Sequence, residues 1–130
     1  MEKNNNTSIK ELTKAEEEIM QHLWSLEKAF VKEIIEELPE PKPAYNTVST
    51  IVRILETKGF IGHESFGNSH RYYPLVNKDE YKSFATNKLI SSYFDNSAQK
   101  MLSFFLEKEK LNIKEVDEIL KIIEQAKNKK

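Results

Sequence analysis

Residues 44–73 constrain the fold of this chain more than any other segment, because a polar-faced helix is followed at once by a hairpin. The apolar residues of the helical segment recur at steps of three and four, which predicts one buried stripe on a helix over residues 44–58. The stripe consists of Val48, Ile51, Val52 and Leu55. Gly59 is a predicted helix stop, and Gly67-Asn68 joins two extended stretches as a tight turn.

The exposed side of the predicted helix carries short or forked hydrogen-bonding side chains. Such a face can enter a DNA major groove, which long charged side chains at every position would crowd. Asparagine suits adenine, hydroxyls suit base edges or phosphates, and the Arg53 guanidinium suits guanine or phosphate. The alternatives are helix capping, a solvated face, and an ion pair of Arg53 with Glu56 or Glu27. The candidate DNA-binding residues of this recognition helix are Tyr45, Asn46, Thr47, Ser49, Thr50 and Arg53.

Basic residues flank the recognition helix and occupy the hairpin, which we call the wing (residues 60–75). Lys42 and Lys58 stand at the two ends of the helix and are candidate phosphate contacts. His70 and Arg71, in the second half of the wing, are candidates for contact with the DNA backbone or the minor groove. A solvated hairpin tip is the alternative for both wing residues.

The charge of the chain is unevenly distributed around a net value of −1. Residues 11–40 carry three lysines against nine glutamates, a net charge of −6. Residues 42–73 carry two lysines and two arginines against two glutamates, a net charge of +2. The predicted DNA face is therefore mildly positive, and we expect weak non-specific affinity with a shallow salt dependence.

Two further helices are predicted ahead of the recognition helix. Thr13-Lys14-Ala15-Glu16 fits a capping box at the start of the first, and residues 30–38 form a short second helix. Three prolines between residues 39 and 43 then predict a stiff turn, because proline fixes φ and lacks a backbone donor. Three helices followed by a hairpin predict a mainly α fold with a winged helix-turn-helix DNA-binding domain over residues 11–76.

Residues 77–130 are predicted to form a helical dimerisation domain in three pieces. Asn77 caps the first helix, residues 95–97 interrupt the pattern, and Asn112 opens the last helix. Three short helices cannot bury their aromatic and aliphatic side chains alone, so we expect a second copy to cover them. A ligand cavity lined by the aromatic residues is the alternative. The predicted dimerisation residues are Tyr81, Phe84, Tyr93, Phe94, Met101, Leu102, Phe105, Val116, Ile119, Leu120 and Ile123.

Several classes of function find no support in the residues. The chain has no cysteine, which excludes disulfides and thiolate metal sites, and its three histidines lack metal-ligand spacing. Three glycines form no phosphate-binding loop and no nucleophile–base pattern is visible, so we expect neither an enzyme nor a cofactor. Residues 1–10 are a predicted disordered tail without a signal-peptide core. No apolar run approaches about 18–20 residues, so we expect a cytoplasmic protein without membrane insertion.

An ordered set of short segments resembles the penicillinase-repressor (BlaI/MecI) family over about residues 11–127. The matching segments are Leu12–Glu16 with Ile19-Met20 and Leu23-Trp24, Tyr45–Thr50 with Arg53 and Leu55, Lys58–Ile61, Arg71–Val76 and Phe105–Glu109. The resemblance implies a winged-helix repressor that is dimeric through its C-terminal helices and binds double-stranded DNA at a palindromic operator. It also implies a membrane-bound sensor protease as a partner, since such a protease inactivates relatives by cleavage in the helical C-terminal part.

The chain departs from the family pattern at two places. The cleaved bond of the family lies between Asn and Phe, whereas the matching segment here is Ser103-Phe104-Phe105, with Phe at both corresponding positions. The copper-responsive branch of the family carries a C-terminal cysteine cluster, and this chain has no cysteine. The resemblance therefore implies repression without identifying the inducing signal.

Two other functions remain open on the sequence. The near-neutral charge fits a winged-helix module whose apolar C-terminal helices bind a different protein. A small-molecule-responsive repressor of another winged-helix group is the second alternative. Operator binding, oligomeric state and ligand-induced release from DNA distinguish the three.

Overall fold

The structure is a computed structural model that describes residues 9–129. Residues 1–8 of the predicted tail lie outside this range, and Ile9 packs against the core. The chain divides into two compact units, a winged-helix unit up to Thr86 and a C-terminal unit from Asn87 onward. This division falls within a helix, beyond the boundary after residue 76 predicted from the sequence.

Between residues 9 and 77, the winged-helix unit contains three helices and one three-stranded antiparallel sheet. Its elements are α1 (Lys14–Leu26), β1 (Ala29–Phe30), α2 (Val31–Glu37), α3 (Tyr45–Thr57), β2 (Ile61–Phe66) and β3 (Ser69–Pro74). The strands lie in the order β1–β3–β2, and β2 with β3 forms the wing. The predicted winged helix-turn-helix fold is confirmed.

Local residue choices set the ends of these elements. The Glu16 backbone N–H donates to Thr13 Oγ1 at 3.2 Å, and the Thr13 N–H donates to the Glu16 carboxylate at 2.9 Å, which confirms the predicted capping box. Gly59 adopts a φ of 86° directly after the recognition helix α3, and Gly67 adopts a φ of 61° in the wing turn. Both are left-handed conformations that glycine adopts without a Cβ penalty, so the predicted helix stop and turn are confirmed.

The short strand β1 was not predicted from the sequence. Ala29 pairs with Tyr72 and Phe30 pairs with Arg71, so the chain is extended at both residues before α2 begins. The sequence predicts a second helix that begins at Phe30. In the structure this helix begins at Val31. Backbone pairing with β3 holds Phe30 at φ −82° and ψ 159°, outside the helical region.

One hydrophobic core joins α1, α2 and the recognition helix to the sheet. Its largest fully buried side chains are Phe60, Met20, Leu23, Ile34, Leu55, Ile61, Val48 and Val52. Tyr81 of the following helix closes this core, where its hydroxyl accepts from the Leu12 N–H at 3.1 Å. The Trp24 indole N–H donates to the Val76 carbonyl at 2.9 Å and ties α1 to the end of the wing.

The remaining helices are α4 (Lys78–Tyr93), α5 (Ala98–Lys108) and α6 (Ile113–Asn128). Positive φ values at Asp95 and Asn96 break the chain between α4 and α5, and Asn112 caps α6 in a box with Glu115. No residue from 87 to 129 is buried in the single chain. Most of the large apolar side chains of the C-terminal unit are thus exposed, whereas Phe94, Met101 and Ile119 are half-buried.

Candidate nucleic-acid interface

The recognition helix α3 presents one apolar face to the core and one polar face to solvent. Val48, Val52 and Leu55 are buried against α1 and α2, as the periodicity predicted. The opposite face exposes small or forked polar groups, with Ser49 half-buried at its edge. The exposed members are Tyr45, Asn46, Thr47, Thr50 and Arg53. The recognition-helix candidates thus lie on or beside one surface.

The Arg53 guanidinium lies over this polar face. Its Nη1 donates to Ser49 Oγ at 3.3 Å and its Nη2 donates to Thr50 Oγ1 at 3.4 Å. These long bonds use two of its five N–H donors, so donors remain for a base edge or a phosphate. The sequence offers Glu56 as an ion-pair partner of Arg53. In the structure Glu56 instead accepts from His63 Nδ1 at 2.6 Å.

Lys42 is engaged with the end of helix α2. Its Nζ donates to the Glu36 carbonyl at 2.9 Å and also to the Leu38 carbonyl. Carbonyls at a helix C-terminus lack intrahelical partners, and a cation there also opposes the negative end of the helix dipole. In this structure Lys42 therefore stabilises the turn that leads into the recognition helix, and its contact with a phosphate stays a prediction.

Lys58, at the other end of the recognition helix, forms a partly buried ion pair with α1. Its Nζ lies 2.7 Å from Glu16 Oε1, and the two side chains are 23% and 7% exposed respectively. Burial alone raises the pKa of Glu16, but the hydrogen bonds from Lys58 and Thr13 and the Lys58 charge outweigh it and hold that pKa below its ordinary value. Lys58 therefore fixes the C-terminal end of α3 against α1.

The two predicted DNA contacts of the wing, His70 and Arg71, differ in exposure. His70 is exposed on β3, whereas Arg71 is half-buried between Glu64 of β2 and Phe30 of β1 in the strand register. The His70 ring lies against the His63 ring, with ring centroids 4.2 Å apart. Sequence reasoning missed His63, because its contacts with Glu56 and His70 depend on how the hairpin folds and follow no helical spacing.

An aromatic cavity of about 410 Å³ opens beside the wing tip and the first residue of the recognition helix. Phe30 and Phe66 meet edge to face in its wall, with ring centroids 5.8 Å apart. Tyr45 and His70 also line this cavity. Alternation along β2 could have indicated Phe66, but its partner Phe30 lies on the strand that was not predicted.

The C-terminal helices expose most of the residues predicted for dimerisation. Tyr81 is buried and Phe84 half-buried in the winged-helix unit, so these two pack within one chain. The large exposed apolar side chains of the C-terminal unit are Leu89, Tyr93, Leu102, Phe104, Phe105, Leu106, Ile113, Val116, Leu120, Ile122 and Ile123. Ser103, Phe104 and Phe105, at the position matching the cleavage segment of the family, lie exposed in the middle of α5.

A membrane-spanning helix and a metal-binding cluster have no candidates among the described residues. None of the helices between residues 9 and 129 is both long and apolar enough to span a membrane. The same residues contain no cluster of three histidine, cysteine or acidic side chains placed to hold a metal ion.

Comparisons with known proteins agree with the winged-helix fold. The chain is 26% identical over 123 residues to a penicillinase repressor from Bacillus licheniformis, covering 94% of this chain and 96% of that protein. It is 29% identical over 114 residues to the methicillin resistance regulatory protein MecI from Staphylococcus aureus strain N315, covering 87% and 93% respectively.

A solved structure and a family model match as well. The solution structure of the DNA-binding domain of the repressor BlaI superposes with a TM-score of 0.50 at 27% identity, covering 56% of this chain and 90% of that domain. The sequence model described as penicillinase repressor matches residues 12–125. The chain therefore belongs to the penicillinase repressor family of winged-helix, DNA-binding transcriptional repressors.

Proposed function

We propose that this protein represses transcription as a homodimer bound to a palindromic operator in the cytoplasm. The observation that carries the proposal is the exposed polar face of α3. The opposite face of this helix packs in the core, and the wing follows the helix in the chain. In a twofold dimer, two such helices enter successive major grooves, with half-site centres about 34 Å apart or a small multiple of that distance. Contacts from residues 46–53 provide sequence specificity, and phosphate contacts provide affinity.

Homodimer formation is proposed from the C-terminal unit. Many of its apolar side chains, including Leu120 and Ile123 on α6, are exposed in the single chain. Large contiguous apolar surfaces on a single chain favour association, because burial releases about 25 cal/mol for each Å² removed from water. A second copy of the same helices supplies an equally apolar surface, and its symmetry matches that of a palindrome.

Release from the operator is proposed to depend on a signal such as a membrane-bound sensor protease. Support comes from the family and from the exposure of Phe104 and Phe105 on α5. The bond at this position lies within a helix, so cleavage requires local unwinding of α5. Incubation with a sensor protease of a relative tests the route directly, and an intact chain after incubation would assign induction to another signal.

The main test combines operator binding with oligomeric state. A palindromic fragment from upstream of the coding region of the protein is titrated by gel shift, and sedimentation measures the mass of the free protein. We expect a dimer that binds the fragment as one unit. A monomer that leaves the fragment unshifted would contradict the proposal and favour the alternative of a module that binds a different protein.

A matched pair of substitutions assigns the binding to the recognition helix. Asn46→Ala removes an exposed amide from the proposed groove face, and Gln21→Ala removes an exposed amide from α1. We expect only Asn46→Ala to weaken operator binding, by about 1–3 kcal/mol if the amide contacts a base. Equal affinities of the two variants would remove Asn46 from the proposed interface.

A further inference from the structure

The wing carries a cluster of three rings on one face of its two strands. His63 lies opposite Tyr72 and Ser65 lies opposite His70 in the β2–β3 register, so the two histidines are diagonal neighbours. Their ring centroids are 4.2 Å apart, and Tyr72 lies 5.7 Å from His63 and 6.2 Å from His70. Tyr72 is buried and His70 is exposed, so the cluster runs from the core to the wing surface.

His63 also connects the wing to the recognition helix. Its Nδ1–H donates to the Glu56 carboxylate on the last turn of α3 at 2.6 Å, and each side chain is about one-third exposed. A carboxylate accepts this proton whether the imidazole is neutral or charged, so the bond persists in both states. The bond is a direct side-chain link between the two DNA-facing elements, α3 and β2.

We propose that His63 positions the wing against the recognition helix, and that the neighbouring His70 contacts a DNA phosphate in its protonated form, so that operator affinity rises as pH falls. The inference rests on the proposed operator binding and deepens it. His63 is a positioning residue here, because it acts through Glu56 and His70. The contact to DNA is made by His70.

The two histidines differ in what they face. Glu56 from α3 accepts from His63, whereas the Nδ1 of His70 lies 3.5 Å from the Ser65 hydroxyl, and the exposed His70 ring is accessible to a phosphate. Tyr72 stays neutral, because burial, assisted by the nearby Glu56 charge, raises its pKa.

The charged groups that face the three rings are Glu56 and Arg53 of α3, and Lys32 and Glu33 of α2 line the same cavity as His70. Lysine, arginine and carboxylate side chains ordinarily keep their charge between about pH 6 and 8, whereas histidine is the side chain whose ordinary pKa falls in that range. A phosphate beside His70 favours the charged imidazole, so the DNA complex takes up protons that the free protein lacks.

The test measures operator affinity by fluorescence anisotropy at about pH 6 and about pH 8, at constant ionic strength, where histidine changes its charge. We expect the wild type to bind roughly tenfold more tightly at the lower pH, which corresponds to uptake of about half a proton per dimer over two pH units. His70→Gln is expected to lose this pH dependence, because glutamine keeps an amide donor but carries no charge at either pH. His22→Gln, the control on α1, should retain the full dependence.

Two variants at His63 separate positioning from charge. His63→Ala removes the link to Glu56 and should weaken binding at both pH values, whereas His63→Gln keeps a side-chain donor and should restore the affinity at the higher pH. Circular dichroism at both pH values identifies any variant that unfolds. Binding that is independent of pH, or a His70→Gln variant that keeps the wild-type dependence, would overturn the inference. Absence of any operator binding by the wild type would overturn the proposed function as well.

Discussion

The pair of Lys58 and Glu16 is predicted to contribute stability, not phosphate binding, and Lys58→Met tests this assignment. The substitution keeps most of the apolar stem but removes the ammonium group that lies 2.7 Å from Glu16 Oε1. A hydrogen bond to a charged group contributes about 1.5–3 kcal/mol, and breaking a fully buried ion pair costs about 3–5 kcal/mol. Lys58 is 23% exposed, and Glu16 keeps its bond from the Thr13 N–H, so water and this bond compensate in part. We expect a loss of about 2 kcal/mol in the free energy of unfolding.

Urea unfolding followed by circular dichroism measures this loss as a shift of the midpoint at constant slope. Lys14→Met is the control, because Lys14 is an exposed lysine on α1 and surface substitutions usually change stability by less than about 0.5 kcal/mol. A loss for Lys58→Met no larger than the control would refute the structural role. If Lys58→Met keeps the wild-type stability but binds the operator more weakly, the result would instead identify Lys58 as a phosphate contact.

The pH dependence gives the same prediction a second check. The pKa of Glu16 lies below its ordinary value of 4.5, so the ionised carboxylate stabilises the fold above that value and the contribution is lost as pH falls through the lowered pKa. In Lys58→Met the hydrogen bond and the charge of the lysine no longer lower the pKa of Glu16, so this pKa should rise relative to the wild type, and protonation then relieves the buried charge at a higher pH. The difference between wild type and variant should therefore be largest near neutral pH and shrink at acidic pH.

Two further predictions concern the DNA-binding face and the apolar helices. Arg53→Ala should weaken specific operator binding by about 1–3 kcal/mol if the guanidinium reads a base, and unchanged anisotropy titrations would remove Arg53 from the interface. Leu120→Lys places a charge in the apolar surface of α6 and should shift sedimentation from dimer to monomer without unfolding the winged-helix unit, because Leu120 is 54% exposed in the single chain. A Leu120→Lys protein that remains fully dimeric would place the interface elsewhere.

The parts of the fold that depend on neighbouring residues were predictable from the sequence. The capping box at Thr13 joins residues three positions apart and forms as predicted, and Asn112 opens the last helix as predicted, with Glu115 completing a box of the same spacing. The same holds for the helix stop at Gly59, whose conformation depends on the absence of a Cβ. Helical periodicity also identified the buried stripe of α3, since one face of a helix repeats every three to four residues.

The parts that depend on distant residues were not predictable. Strand β1 contains two residues and exists only because β3, more than 35 residues later, offers a free edge. The bond between Lys58 and Glu16 joins residues 42 positions apart. No local pattern distinguishes a lysine that pairs in this way from one that faces solvent, so both flanking lysines were assigned to phosphate by position alone.

These internal contacts change the charge available for DNA and lead to a prediction about salt. Of the four cations in residues 42–73, Lys42 bonds helix carbonyls and Lys58 pairs with Glu16, whereas Arg53 makes two long bonds to hydroxyl groups. Arg53 and Arg71 are therefore the fixed positive charges expected at the proposed interface. With about two phosphate contacts per protomer, the logarithm of the operator association constant should fall with the logarithm of salt concentration at a slope of about −4 per dimer near pH 8. If His70 binds phosphate as a cation, the slope should steepen toward about −5 at pH 6, because each dimer then neutralises additional phosphates. A slope of about −7 at the higher pH would mean that the lysines leave their partners to bind DNA, and would contradict the structural roles of both.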